Sequence, residues 1–451
     1  MNNSDFEVIL YGGSNIDAFD NNSYRYRILN LKEQLDYAGI SAKIITNLTS
    51  ITKMSSDVKR LLILHRIAWD AEVSLVIKFA QKNLIPVIYD IDDYVFDPNV
   101  YQFIRAVDTY TDKQKNEYFS IIEKYGQTLL ASDYAITSTQ YLKNIIEKEG
   151  IKTFVHKNAL SKEQIEISEK IKNSKNPHDI ILGYFSGTYS HNYDFSECSI
   201  AIKEILEKFN NVKLLIVGPL DLPDYFKKFT TQIIKRDLVN WRNLPRLIAD
   251  VDINLVPLET NNPICKAKSE QKFFEAGIVK IPTISSPIES YNNAIKNNEN
   301  GFLALDQNEW IKYLTELIQD DDLRAKLGDE SYKSVFNQYT YKSRAKEIQT
   351  ILNEIQNNYL SSKYDKDIKN DLLETYDQKS LIEEINSLKL NISKLNSRLE
   401  NIETEITTLT NSYIFIKNQL NRIDNNLRLF SKTFPINLCI KLLKKITKKT
   451  D

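Results

Sequence analysis

The sequence predicts an α/β protein of two facing Rossmann-like domains followed by a long C-terminal coiled-coil helix. Three observations carry this prediction. Short apolar runs alternate with amphipathic stretches from residue 6 onward, the pattern of a parallel sheet covered on both faces. The polar stretch 168–177 breaks that rhythm, and the alternation then restarts with another strand that runs into a glycine turn. Further on, apolar residues recur at 385, 388, 392, 395, 399, 402, 406, 409, 413, 416, 420, 423, 427 and 430, in alternating steps of three and four. The domains that follow are 1–165 and 166–358. A linker is expected at 359–380, a coiled coil at 381–430 and a basic amphipathic tail at 431–451.

In chain order, the apolar run 6–11 reads as a strand that ends in Gly12-Gly13. Residues 24–38 have helical spacing through Ile28, Leu31 and Leu35, with Gly39 as the stop. Strands are expected at 42–45, 60–64 and 85–89, with a helix at 69–82 between the last two. A long helix at 113–131 leads into a strand at 134–137. In the second half, the strand 180–185 runs into Ser186-Gly187-Thr188 and is followed by a helix at 196–209. Strands at 212–217, 252–258 and 281–285 follow, with a helix at 269–277 before the last. Sheets of this kind bind ligands at the C-terminal ends of their strands, so the cleft between the halves is the expected site.

Composition narrows the function classes. The chain has 451 residues, too many for one ordinary core, and 42% of them are hydrophobic. A net charge of −1 argues against a nucleic-acid partner bound through a basic field. The three cysteines lack CxxC spacing, and the four histidines show neither HxxxH nor HExxH, so neither disulfides nor a zinc site is expected. Phosphate-loop, dinucleotide and GxSxG motifs do not occur. The start MNNSDFEVILYGG lacks the basic and apolar parts of a signal peptide, and no uncharged run reaches the ~18 residues of a spanning helix. A cytoplasmic protein is therefore expected. In the tail, Ile436, Leu438, Ile440, Leu442, Leu443 and Ile446 sit among five lysines, which suits either peripheral contact with the anionic inner face of the cell membrane or a solvated basic terminus. Glu384 with Lys389, and Arg398 with Glu403, have the spacing that attracts in a parallel homo-oligomer through 381–430, the alternative being a helix pair folded back on the globular part.

A series of motifs in fixed order is more specific. It runs from Gly183-Tyr184-Phe185-Ser186-Gly187-Thr188-Tyr189-Ser190-His191-Asn192-Tyr193-Asp194-Phe195 through Val217-Gly218-Pro219-Leu220 and Asp252-Ile253-Asn254-Leu255-Val256-Pro257-Leu258. It continues with Lys268-Ser269-Glu270-Gln271-Lys272-Phe273-Phe274-Glu275-Ala276 and Asn300-Gly301-Phe302-Leu303. With Tyr89-Asp90-Ile91-Asp92-Asp93 in the first half, this resembles the bacterial family-4-like glycosyltransferases of the GT-B fold, over about residues 5–350. The resemblance implies transfer of a sugar from a nucleotide-sugar donor to a glycan, glycolipid or glycoprotein acceptor, with retention of configuration, in surface polysaccharide or glycoconjugate biosynthesis. It also implies donor binding mainly by the second domain, acceptor binding by the first, and no metal or other cofactor.

The donor-side candidates are Ser186, Gly187, Thr188, Lys268, Ser269, Lys272 and Glu275. Small residues at a strand end let backbone approach phosphate, and cationic side chains meet a departing diphosphate. Lys268 is the expected diphosphate ligand, whereas Lys272, one turn on, also suits a solvated helix face. Glu275 matches the second glutamate of the family's Glu-x7-Glu motif, which binds the donor ribose; the first falls at Ala267, with Glu270 or Asp194 as substitutes. His191, inside the family-like loop, is a candidate for a catalytic hydrogen bond to phosphate or sugar. Asp90-Ile91-Asp92 formally matches a metal-binding DxD, and the same carboxylates also suit helix and turn capping. Their place in the first half favours the acceptor wall, with Asp92 or Asp93 acting on the acceptor hydroxyl. Gly13, His65, Arg66 and Asp90 are expected on that wall. The competing readings are a non-catalytic, glycosyltransferase-like scaffold subunit of a glycan-assembly complex and a sugar-nucleotide epimerase or glycosidic phosphorylase of the same two-domain layout.

Overall fold

The computed structural model describes residues 6–13, 22–55, 57–171, 178–187 and 191–370, with 406, 409, 410, 413, 417 and 420; at 22, 191 and 362–370 it describes backbone only. Six strands form the first sheet: β1 (Phe6–Tyr11), β2 (Ser41–Ile44), β3 (Lys59–His65), β4 (Val87–Ile91), β5 (Tyr134–Thr137) and β6 (Thr153–Val155). Their order is β2-β1-β3-β4-β5-β6, and every pairing is parallel. Six more form the second: β7 (Ile180–Phe185), β8 (Val212–Val217), β9 (Ile233–Arg236), β10 (Ile253–Val256), β11 (Thr283–Ser285) and β12 (Phe302–Leu303). Here the order is β12-β11-β10-β7-β8-β9, again all parallel. The sequence reading passes over β6, β9 and β12, which are short edge strands without a long apolar run.

Buried side chains cover both faces of each sheet, so the inner strands read as continuous apolar runs. Strand order reverses between β1 and β3 in one sheet and between β7 and β10 in the other. The C-terminal strand ends at those reversals open crevices that helices do not fill. They carry Gly13, His65 and the acidic stretch on the first sheet, and Ser186 and Glu259 on the second.

The helix Tyr341–Asn370 corrects two boundaries. Residues 341–358 were expected in the second domain, yet Ile348, Ile351, Leu352 and Ile355 pack with Val8, Leu10, Ile63 and Ile136 on a face of the first sheet. The helical apolar spacing continues through Tyr359, so residues 359–370, expected as linker, are helix instead. Within the expected coiled coil, Ile406, Leu409, Thr410, Tyr413, Lys417 and Leu420 are described, and each is helical. The rest of 381–430 and all of the tail at 431–451 lie outside the described residues. Among the described residues, no helix is long and apolar enough to cross a membrane.

Candidate active site

The first wall of the cleft begins with register. Parallel pairing of β3 and β4 sets His65 directly opposite Asp90, and His65 Nδ1 lies 2.7 Å from Asp90 Oδ2. Asp90 is fully buried, and so is Arg27, which donates from Nε at 3.2 and 3.0 Å and also from Nη2. Burial alone would raise the Asp90 pKa, but Arg27 and His65 hold it down at about 2. Arg27 reaches this point from a π-helical turn, Arg25–Leu29, that precedes the helix Asn30–Tyr37 and buries Arg25, Tyr26, Arg27 and Ile28. Turns of this kind recur at functional sites. The second arm of Arg27 holds the His156 carbonyl at 2.6 Å and Asn158 Oδ1 at 3.2 Å.

These contacts correct two expectations. Asp90 lies inside a central strand with no exposed surface, so it cannot meet an acceptor; it anchors His65 and Arg27. His65 is 3% exposed, and its Nε2 faces Ser23 Oγ at 3.0 Å rather than the open cleft. Ser23 Oγ donates in turn to Asp92, at 2.8 Å to Oδ1 and 2.7 Å to Oδ2. Asp92 and Asp93, past the end of β4, are both half-buried. Arg66 holds Asp93 at 2.7 Å from left-handed backbone (φ 52°), a cost of about 1–2 kcal/mol that its N–H bond to the Asp90 carbonyl helps to offset. Desolvation, with Asp92 alongside, raises the Asp93 pKa despite Arg66. Gly13, at the end of β1, is in the same left-handed region (φ 101°), where glycine is the residue that fits.

On the second wall, Ser186 caps β7, with its N–H on the Val217 carbonyl and its hydroxyl on the Pro219 carbonyl at 2.5 Å. The loops after β7 and β8 touch so closely that a Cβ on Gly218 would lie 2.0 Å from the Ser186 carbonyl oxygen. Gly187 is exposed beyond them. Thr188 lies outside the described residues. His191 opens the helix His191–Lys208, and its side chain also lies outside them.

The two lysines exchange their expected roles. Lys268, the expected diphosphate ligand, is bound to Asp194 at 2.8 Å. Burial would lower its pKa, but the Asp194 charge outweighs that and raises it. Lys272, which also suited a solvated face, is half-buried with Nζ 5.3 Å from the Tyr184 ring centre, and among the described residues it has no ion-pair partner. Burial and the neighbouring Lys268 push its pKa down to about 8. The reason is geometric: Asp194 makes its ion pair with Lys268, and the charges of Asp194 and Glu275 offset the desolvation of Lys272 only in part.

Glu275 was expected to face a donor ribose. It is 9% exposed and takes bonds from Tyr26 Oη of the first domain at 2.7 Å and Gln271 Nε2 at 3.0 Å. Ser269 accepts from Asn158 at 3.3 Å, and Glu270, 1% exposed, is held by Lys157 at 2.6 Å and Tyr339 at 2.7 Å. The cross-domain bonds from Tyr26, Lys157 and Asn158 thus fall on the segment expected to bind donor. Neither Glu270 nor Asp194 is open to replace the missing first glutamate in this arrangement. Across the cleft, Thr139 Oγ1 donates to the Ala267 carbonyl at 3.3 Å and Arg105 pairs with Glu259 at 2.9 Å, so the two walls face one another.

Among the described residues, one trio gathers metal-ligand atoms within 4.8 Å: Asp194, Glu259 and Cys265. Burial pushes the Cys265 thiol to about 12, and the Lys268 ammonium already sits on Asp194, so the trio is set up as a hydrogen-bonded cluster. Ser23, Tyr26 and Arg27 were missed from sequence. The signal was there in Ser23-Tyr24-Arg25-Tyr26-Arg27, aromatic and cationic residues alternating at a helix start just after a glycine turn.

Part of the chain matches a known family, and its fold recurs in solved structures. Residues 199–350 match a family model described as glycosyl transferase-like. A comparison with curated proteins finds no match. Among solved structures, sucrose-phosphate synthase from Thermosynechococcus elongatus aligns with a TM-score of 0.52 at 10% identity, over 78% of this chain and 99% of that one. A glycosyltransferase from Rickettsia africae aligns at 0.51 and 12% identity, over 78% and 99%. The Anabaena protein HepE, solved with UDP, scores 0.49 at 12% identity, over 77% and 100%. The first two establish the shared two-sheet fold.

Proposed function

We propose that the chain is a glycosyltransferase that moves a sugar from a nucleotide-sugar donor to a hydroxyl of a glycan, glycolipid or glycoprotein acceptor. The carrying observation is Lys272, a desolvated ammonium without an ion-pair partner among the described residues, at the cleft wall of a domain matched by a glycosyl transferase-like model. A half-buried cation without an ion pair is unfavourable in the free protein and becomes favourable when a diphosphate arrives. Lys268 adds a second positive charge next to it. Because Lys272 meets the phosphate charge, activity is expected to persist in EDTA. Asp92 and Asp93, on the facing wall, serve the acceptor.

Screening nucleotide sugars for binding and slow hydrolysis by the full-length protein tests this reading. Binding that is lost in Lys272→Met and kept in Asp92→Ala supports it, and no binding of any nucleotide sugar refutes it. Ala267 in place of a glutamate, together with the engagement of Glu275 by Tyr26, favours the non-catalytic scaffold as a second reading. That reading expects nucleotide binding without turnover. Self-association through 381–430 is part of the proposal. Ile406, Leu409, Tyr413 and Leu420 occupy heptad positions and are 56–68% exposed in the single chain, an apolar stripe that a second copy would cover.

A further inference from the structure

The contacts between the two domains fall into two groups that differ in burial. One group lies where the chain crosses from domain to domain, at 156–161 and again at 339–341. There the Leu160 N–H donates to the Tyr339 carbonyl at 2.7 Å, and the Leu160 carbonyl accepts from Tyr341 at 2.9 Å. Leu160 and Tyr339 are each 1% exposed, and the Tyr26–Glu275 bond of the same cluster is buried as well. Buried bonds of this kind are costly to separate. The other group belongs to residues 98–109, a strap of two 3₁₀ turns, Pro98–Phe103 and Arg105–Thr109, between the acidic stretch and the helix Asp112–Ala131. Val100, Ile104 and Val107 anchor the strap in the first core, in a cluster that also takes in Ile264 and Ala267 of the second domain. Arg105 turns toward that domain. It donates to Glu259 at 3.3 Å from Nε and 2.9 Å from Nη2, and its guanidinium lies 4.4 Å over the Tyr193 ring. Asn262 Nδ2 donates to the Phe103 carbonyl at 3.1 Å. These partners meet water: the Arg105 and Glu259 side chains are 35% and 16% exposed, and Tyr193 is 42% exposed.

Strand order in the second sheet reverses between β7 and β10, and ligands of such sheets bind over the reversal. Tyr193 follows β7, whereas Glu259 and Asn262 follow β10, so Arg105 bridges the two lips of that crevice. Behind the bridge stands the cationic side of the cleft: the Glu259 N–H donates to Asp194 at 3.4 Å, and Asp194 holds Lys268 at 2.8 Å. We propose that residues 98–109 are a gate over the donor crevice, with Arg105 as its latch on Glu259 and Tyr193. A nucleotide enters and leaves when this water-exposed end opens, and the buried crossing at 156–161 and 339–341 serves as the hinge. This rests on the nucleotide-sugar reading above. Opening gives up one partly exposed ion pair and one stacked ring, and the bonds at the crossing stay made. Closure keeps water from a donor that water would hydrolyse. A latch that is closed both with and without nucleotide slows entry and exit by the same factor and leaves affinity unchanged. A side chain that grips the nucleotide instead changes exit alone.

The test uses full-length protein and mant-labelled UDP, or the labelled diphosphate of whichever donor binds in the screen, with both rate constants read by stopped-flow fluorescence. Arg105→Gln should raise association and dissociation together, about 3- to 30-fold, the worth of a partly exposed ion pair and a stacked ring. Kd should stay within about threefold of the parent. Arg105→Lys keeps the charge without the fork or the stacking, and its rates should fall between those of the parent and the glutamine variant. Tyr193→Leu removes only the exposed ring and should raise both rates about 2- to 5-fold. A rise in dissociation alone in Arg105→Gln would mean that Arg105 grips the nucleotide itself. That result, or unchanged rates in both Arg105→Gln and Tyr193→Leu, overturns the gate while leaving the transferase reading intact. Failure of every nucleotide in the donor screen to bind overturns both.

Discussion

Raising the pH should weaken nucleotide binding through Lys272, by an amount that its surroundings set. In the free protein, burial and Lys268 hold its pKa near 8, so the ammonium is mostly charged at pH 7 and mostly neutral at pH 9. A bound diphosphate favours the charged form and raises that pKa again, so above pH 8 each UDP that binds must bring a proton with it. With a free value of about 8 and a bound value above 10, affinity should fall about eightfold between pH 7.5 and pH 9.0. Calorimetry in two buffers of different ionisation enthalpy would measure the proton directly, with about half a proton taken up per UDP at pH 8. Lys272→Arg keeps the charge throughout this range and should give a flat profile. Lys272→Met should lose about 10- to 100-fold in affinity, the worth of one charge-assisted bond. An absence of proton uptake at pH 8, or the same pH slope in the arginine variant, would refute the assignment of Lys272 to the diphosphate.

The Asp90 carboxyl, held at about 2 in the fold, contributes stability that is complete above the unfolded value near 4 and is lost as pH falls toward 2. Urea unfolding of the parent should therefore lose about 2 kcal/mol between pH 5 and pH 2 that Asp90→Asn does not lose; equal slopes would count against the buried Arg27 pairing. Tyr26→Phe removes buried bonds to Glu275 and from Gln164, and should lower unfolding stability by about 1–3 kcal/mol at unchanged denaturant slope. An unchanged midpoint would mean that this cross-domain contact contributes little. Truncation before Leu381 should leave a folded protein of lower oligomeric mass, and an unchanged state by light scattering would remove residues 381–430 as the association element.

The sheets were readable in advance because parallel strands buried on both faces carry continuous apolar runs, as in Leu61-Leu62-Ile63-Leu64 and Leu214-Leu215-Ile216-Val217. The helix Asp112–Ala131 was readable from its spacing, and its start is set by a Thr111–Gln114 capping box. The helix Tyr341–Asn370 has the same local signature wherever it docks, so sequence could not show that it returns to the first sheet.

At the site, sequence by itself determined which residue types stand at which strand ends. That was enough to divide the cleft into a cationic side near Lys268 and Lys272 and an acidic side near Asp92 and Asp93. Partnership it could not determine. Whether Asp194 takes Lys268 or Lys272 depends on where a helix start falls relative to the segment after β10, across 74 residues of chain. Likewise, Asp90 and Asp92 differ only by two positions in YDIDD, yet one is sealed inside the sheet and the other stands past its end. Charge and hydrogen-bond capacity are local properties, so sequence carries them. Desolvation and pairing are properties of what lies within a few ångströms, and only the folded chain brings Ser23, His65, Asp90 and Asp92 that close.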